Sequence, residues 1–546
     1  MSRCYLGIDV GTASVRAGLF DVHGTLLGQG SHPIQLVHPE DDYAEQSSAD
    51  IWRASGLATR AALAQAGLDA AAVGGLGFDA TCSLVVLDAD DAPVTISPTG
   101  DPSANVIVWM DHRAIHEAAT INQTHHAVLD YVGGVISPEM QTPKLLWLKR
   151  HLPETWARAA RFLDLADFLA YRATGVDVRS LCTTTCKWTY VEQRGGWDPT
   201  YFRAVGLGDL ADEGFRRIGT TVRPLGERLG GLSEPAAMEL GLRPGTPVAV
   251  SIIDAHAGGL GMLGAVIDAE EPSPESLETR LALIGGTSTC HMAVSRDPKF
   301  IQGIWGPYQS AMVPGLWLTE GGQSATGALI DHTIRTHARG AELAAEAAAK
   351  STTVYALLNA RLDAMAVRAG VESVAELAAD LHVLPYHHGN RSPRADPSLR
   401  GMVSGLRLVD TLDSLALLYL ATIQAIAHGA RHILDEMNRG GYRISTILAC
   451  GGDTRNPLFV QMHADVTGCR VVLPREAEAV LVGAAVLGAV ASGDYRSILE
   501  AMAAMTQAGK VVQPVQGRPA RFHEAKHAVF LRMCADQLAY RAQMGA

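Results

Sequence analysis

Several signatures that would assign a protein at once are missing from this chain. Among its 546 residues there is no CxxC pair, no GxxxxGK[ST] loop, no run of basic residues and no apolar run expected to span a bilayer. Each absence removes a class. The one Gly-Lys step near the end, Gly509-Lys510, is followed by valine, so a Walker-type phosphate loop is excluded. A net charge of −12 with no basic arm argues against a broad nucleic-acid or anionic-membrane surface. The eight cysteines, Cys4, Cys82, Cys182, Cys186, Cys290, Cys450, Cys469 and Cys534, are scattered, which reads as reduced thiols in a cytoplasmic setting. The start, Met1-Ser2-Arg3-Cys4-Tyr5, leads straight into an apolar strand without the charged and apolar regions of a leader, so secretion is not expected.

What is present is a repeated turn. Leu6-Gly7-Ile8-Asp9-Val10-Gly11-Thr12-Ala13-Ser14 has a relative near the midpoint, Leu283-Ile284-Gly285-Gly286-Thr287-Ser288-Thr289. In each copy an apolar strand enters a Gly-Thr turn with small hydroxyl residues, which lets backbone N–H groups approach an anion. Only the first copy carries an acid, Asp9, where hydrated magnesium could be held beside phosphates. The length and the repeat offset together predict two large α/β domains that use ATP. The acidic, proline-bearing stretch 269–276 reads as an exposed connection. The expected division is a domain at 1–268, a connection at 269–280, a second domain at 281–495 and a helical extension at 496–546.

Three further elements carry candidate chemistry. The apolar strand Val248–Ile253 ends at Asp254, whose carboxylate could accept a proton from a hydroxyl or simply cap the helix that follows. Thr81, Cys82 and Ser83 form a turn of small polar side chains after a strand, and Trp109, Asp111 and Arg113 place an aromatic ring, a carboxylate and a guanidinium within five residues. The latter set suits a polyhydroxylated ligand, or else is a surface ion pair leading into a helix. Finally, Gly451-Gly452 after a buried strand, with Asn456 shortly beyond, would let a flat nucleobase or ribose lie on backbone; a tight strand-to-helix turn needs the same glycines.

In order and content, from about residue 3 to about residue 495, these elements resemble the FGGY carbohydrate kinases. The resemblance implies a two-domain actin-like, ribonuclease H-like ATPase fold with duplicated sheets and an interdomain cleft. It implies Asp254 as catalytic base, Gly11, Thr12, Gly286, Thr287 and Ser288 as phosphate loops, and Gly451, Gly452 and Asn456 as the nucleotide motif. ATP and magnesium, with Asp9 toward the metal, follow from it too. Thr81-Cys82-Ser83 is similar to the ribulokinase branch, which implies D-ribulose as substrate ahead of L-ribulose, ribitol or xylulose, with Thr81, Cys82, Ser83, Trp109, Asp111 and Arg113 around it. The assembly is left open, a homodimer included.

Other patterns carry less. Gly259-Leu260-Gly261-Met262-Leu263-Gly264 fits a dinucleotide fingerprint, but it does not sit directly at a strand end and reads as a helix-packing face. His523-Glu524-Ala525-Lys526-His527 fits a zinc-protease pattern with little room for a third ligand downstream. An actin-like scaffold without kinase activity is the alternative from a different class, and sugar-stimulated ADP release separates the two.

Overall fold

The computed structural model describes residues 3–545; Met1 and Ser2 of the expected leaderless start, and Ala546 of the expected extension, lie outside the described residues. The chain divides into two units, and neither is a continuous stretch. One gathers residues 1–277, 294–319 and 475–507; the other gathers 278–293, 320–474 and 508–546. The first break thus falls within the expected connection, whereas the expected second domain is interrupted and the expected extension is shared out.

In the first unit the opening meander forms as anticipated, as strands Cys4–Val10, Ser14–Phe20 and Leu26–Pro33 paired antiparallel. Val73–Ala80 then lies parallel to Cys4–Val10, and Pro247–Ala249 and Ile252–Ile253 lie parallel to Val73–Ala80. The near-continuous Val/Ile/Leu character of these inner strands is what a sheet covered on both faces requires. One cover is the helix Ser48–Ala66, started by the Ser47 hydroxyl accepting from Asp50 N and ended by Gly67 in the left-handed conformation.

The other cover is the helix Ala479–Ala491, which arrives from more than 400 residues away and packs on strands Cys4–Val10 and Val73–Ala80. It can approach closely because the strands present no side chain beneath it. A Cβ at Gly7 would strike the Leu481 carbonyl oxygen, one at Gly77 that of Ala484, and one at Gly75 that of Gly488. On the helix itself, a Cβ at Gly483 would strike the carbonyl of Ala257 in the helix Asp254–Leu263. The GxGxxG stretch belongs to this same packing, since a Cβ at Gly261 would meet the Ala479 carbonyl.

The second unit repeats the plan. Strand Arg280–Gly285 pairs antiparallel with Thr289–Ser295 across the Gly286–Ser288 turn, and parallel with Thr446–Gly451, as Cys4–Val10 does with its own two neighbours. Arg470–Pro474 and then Ala508–Val512 extend the sheet; the last of these is a strand in what reads from sequence as a purely helical extension. The expected strand at 315–319 lies instead at Trp317–Gln323, because Gly315 is in the left-handed region and makes the turn before it. The helix Leu412–Arg439 is long and apolar enough to cross a membrane by length and composition alone, yet 72% of that apolar window is buried within the protein.

Gly483→Ala is expected to destabilise the protein by about 1–3 kcal/mol, because backbone rather than a movable side chain blocks the new methyl group. Gly452→Ala, where nothing lies within 4 Å, is the control. Chemical denaturation of the two variants checks this; equal midpoints would mean that the helix can lift without loss.

Candidate active site

Three carboxylates meet at one edge of the first sheet. Asp9 is the penultimate residue of Cys4–Val10, and the parallel register places Asp79 beside it; Ile252 pairs with Asp79 in turn, so Asp254 follows at the same edge. The carboxyl ends of parallel strands are where open α/β sheets collect ligands. Asp79 is fully buried, and neither of its carboxylate oxygens has a hydrogen-bond partner among the described residues. Burial first, then the negative charges of Asp9 and Asp254, hold its pKa well above the ordinary carboxylate range.

The guanidinium of Arg16 answers this charge. Arg16 stands opposite Asp9 across the hairpin and donates to its Oδ2 from Nε at 2.8 Å and from Nη2. Its Nη1 donates to Glu478 at 2.7 Å, so the start of the Ala479–Ala491 helix also fixes the guanidinium. Arg16 leaves the other oxygen of Asp9 as a hard donor. That carboxylate oxygen is the kind of hard donor magnesium takes, so Asp9 fits the ion that the phosphate loop implies.

Asp254 is the first residue of the helix Asp254–Leu263, and its Oδ1 accepts from the adjacent Ala255 N at 2.7 Å. Ile253, not Asp254, occupies the cap position. The half-buried side chain has its pKa raised to about 6, by desolvation first and then by the charge of Asp9, with Lys187 pulling the other way. The same lysine acts on the Cys82 thiol, which burial pushes up to about 12. Lys187 Nζ lies 4.7 Å from the Trp305 ring centre. Asp254, Cys82 and Lys187 therefore share one region, and nothing in the run Thr183-Thr184-Thr185-Cys186-Lys187 marks that lysine in advance.

The first Gly-Thr turn and the small polar loop are joined by hydrogen bonds. Trp109 Nε1 donates to Thr12 Oγ1 at 3.0 Å, Trp109 N donates to Ser83 Oγ at 3.1 Å, and the Ser83 and Thr81 hydroxyls are 3.0 Å apart. Gly11 N donates to Ser14 O at 3.0 Å and closes the turn. Thr12, Thr81, Ser83 and Trp109 thus form one connected network, with Cys82 inside it.

Asp111 and Arg113 do not offer the sugar contacts expected of them. Asp111 is buried, with Oδ2 accepting from Ala44 N at 2.7 Å and both oxygens accepting from Arg113. Arg113 also donates to Glu45 at 2.9 Å and to the Ile96 carbonyl at 3.0 Å, with its guanidinium 4.2 Å from the Tyr43 ring centre. The pair is a closed internal clamp, neither a surface ion pair nor a set of ligand-facing groups.

In the second unit, the carbonyls of Gly286 and Thr287 accept from Gly327 N and Thr326 N, each at 3.0 Å, at the start of the helix Gly327–Thr336. Trans peptides then turn the N–H groups of Thr287 and Ser288 to the opposite side of the loop, where an anion can meet them. Gly451, at φ 95°, packs its Cα against the Gly285 carbonyl; a Cβ there would strike that oxygen. Asn456 is used differently from the expectation of a base or ribose contact. Its Oδ1 accepts from Leu458 N at 3.2 Å and Asn359 at 3.0 Å, and its Nδ2 donates to Tyr419 at 2.7 Å. It holds the turn shape and leaves Gly451 and Gly452 as the open surface. Asp453, absent from the sequence expectations, accepts from Thr326 at 3.2 Å, and burial raises its pKa to about 7. In the zinc-protease pattern the glutamate is not free to act as a general base, because Arg431 engages Glu524 in a two-point ion pair at 2.8 and 2.9 Å.

Comparison with known proteins agrees with this layout. The model of the FGGY family of carbohydrate kinases matches in both parts, the N-terminal domain over residues 4–261 and the C-terminal domain over 281–492. An FGGY carbohydrate kinase domain-containing protein of Homo sapiens is 52% identical over 99% of this chain and 98% of its own length. A D-ribulokinase of Saccharomyces cerevisiae is 37% identical over 90% of this chain and 72% of its own. Among solved structures, a xylulose kinase from Rhodospirillum rubrum aligns with a TM-score of 0.79 at 22% identity, covering 98% of this chain and 99% of that one, a likeness of fold.

The buried Asp79 generates a stability prediction. A carboxyl whose pKa is raised on folding contributes most at low pH, and that contribution is lost as pH rises through the folded-state value. Asp79→Asn removes the loss, so its unfolding free energy relative to the parent should climb as pH rises above the ordinary carboxylate range in magnesium-free urea titrations. A gap that narrows instead would mean that Asp79 is held ionised.

Proposed function

The chain belongs to the FGGY family of carbohydrate kinases, and on that premise we propose that it transfers the γ-phosphoryl group of ATP to the terminal hydroxyl of a ketopentose, D-ribulose ahead of L-ribulose, ribitol or xylulose. The observation that carries the reading is Asp254, a half-buried carboxylate at the edge where Asp9 and Asp79 also end. A carboxylate titrating near 6 is ionised at neutral pH yet basic enough to take a proton in the transition state.

In the proposed reaction the sugar hydroxyl gives its proton to Asp254 as its oxygen bonds to the γ-phosphorus. The bond to the bridging oxygen breaks on the far side and ADP leaves. Such transition states are loose, so placement and charge do most of the work. Thr12, Thr287 and Ser288 supply backbone amides to phosphate oxygens, in turns that the Gly11 and Gly286 N–H groups close, while Gly451 and Gly452 lie under the nucleoside. Asp9, with Asp79 and Asp254 nearby, would hold magnesium, which when bound neutralises phosphate charge. Lys187 offsets part of the negative charge around Asp254.

For the substrate, support comes from the Thr81–Ser83 loop and from the likeness to a D-ribulokinase. Small hydroxyl and thiol groups leave room near C1–C3 of a ketopentose, and an epimer that leaves such a group unpaired loses about 1–3 kcal/mol for each buried bond. Asp111 and Arg113 shape this pocket through the clamp under it.

Asp254→Asn should lower kcat by about 10²–10⁴ while the sugar KM changes by less than about threefold. In the parent, kcat/KM should fall on the acid side with a midpoint at about pH 6, because protonation removes the base. An ADP-release assay across D-ribulose, L-ribulose, D-xylulose, L-xylulose, ribitol and glycerol tests the substrate. Preference for D-xylulose or glycerol would overturn the choice of sugar, and near-normal turnover by the Asp254→Asn variant would overturn the base.

A further inference from the structure

The mechanism leaves unused a cluster just behind the Asp254–Lys187 region. Cys182 and Cys186 lie four residues apart on the helix Leu181–Lys187, which begins where the Ser180 hydroxyl accepts from Cys182 N at 3.2 Å. That spacing puts both thiols on one helix face. The third member, His256, comes from the helix Asp254–Leu263, and its Nδ1 is 3.0 Å from Cys182 Sγ. One ligand atom from each of the three lies within 4.8 Å of the other two, and all three side chains are buried.

We propose that Cys182, Cys186 and His256 form a binding site for a soft, thiophilic divalent cation of the zinc class, distinct from the hard all-oxygen edge at Asp9. Metal–sulfur bonds of about 2.3 Å and a metal–nitrogen bond of about 2.1 Å in tetrahedral geometry set the donor atoms roughly 3.5–3.8 Å apart. The observed separations, 3.0 Å between Cys182 Sγ and His256 Nδ1 and none beyond 4.8 Å, bracket that spacing. Two thiols lose their protons to solvent as two metal–sulfur bonds form, and a neutral imidazole completes the set. Two thiolates and a divalent cation sum to zero charge, which suits a place closed to water. Thiolate and imidazole donors select against magnesium.

The location gives the site its consequence. Cys186 is followed directly by Lys187, and His256 lies two residues after Asp254. An ion held by all three ties together the helices that carry the lysine and the base. The fourth position of the tetrahedron is left to a small exogenous ligand.

Cadmium is the probe, added to the full-length protein in the presence of excess magnesium. Expected are a thiolate-to-cadmium ultraviolet band that saturates at one equivalent and a rise in melting temperature of at least about 2 °C. Cys182→Ser and Cys186→Ser should each lose the band, while Cys290→Ser keeps it. Because a serine variant could fail to fold, a second measurement uses the unaltered chain: zinc should slow alkylation of Cys182 and Cys186 at least tenfold under mild denaturant, mapped by mass spectrometry, with Cys290 unaffected. A band that survives both substitutions, saturation at several equivalents, or alkylation rates indifferent to zinc would overturn the site.

Discussion

Everything at the candidate active site is organised by crowded negative charge. Asp9, Asp79 and Asp254 end adjacent parallel strands, and the guanidinium of Arg16 is set directly against Asp9. The charge of Asp9 raises the pKa of both Asp79 and Asp254, so the edge is tolerable only with protons, cations or both in place. The rest of the first unit serves that condition. The hairpin register puts Arg16 across from Asp9, and Glu478 at the head of a distant helix keeps the guanidinium from swinging away. A positive ligand, or phosphates accompanied by one, is what such an edge is complementary to.

A second constraint links two loops of the candidate site. Thr12 belongs to the phosphate turn and Ser83 to the small polar loop, yet Trp109 bonds both, one through its indole and the other through its backbone. Displacing either loop therefore strains the other. Lys187 acts on both the Cys82 thiol and the Asp254 carboxyl, so the small polar loop and the head of the helix Asp254–Leu263 share one electrostatic environment.

What can be read in the sequence is local. Asp9, Asp254 and the two Gly-Thr turns announce themselves because an apolar strand runs straight into them. Asp79 sits in such a strand too, but only its pairing with Asp9 gives it meaning, and pairing between residues 70 apart leaves no short-range mark. Arg16 is visible in the first turn, while its partner Glu478 is not. Asp111 and Arg113 mislead for the same reason: whether a charged pair faces a ligand or the interior is settled by Glu45, Tyr43 and Ala44, more than 60 residues upstream. Asn456 follows the family pattern, but its role in shaping the turn depends on Asn359 and Tyr419. The compact units cross the expected domain limits where the chain returns, since 294–319 and 475–507 are ordinary apolar stretches that belong to a unit begun hundreds of residues earlier.

That return has a consequence for how the protein is made. The glycine-lined face of the first sheet is matched by the helix Ala479–Ala491, so nearly nine-tenths of the polypeptide must leave the ribosome before the first unit can close. Until then, Gly7, Gly75 and Gly77 form an uncovered groove on a growing chain, with Arg16 lacking its second carboxylate. Synthesis proceeds at about 5–20 residues per second, which leaves that groove open for tens of seconds. The segment that finishes the oldest part of the fold is among the last to exist, and a message truncated before it would yield a product in which neither unit is whole.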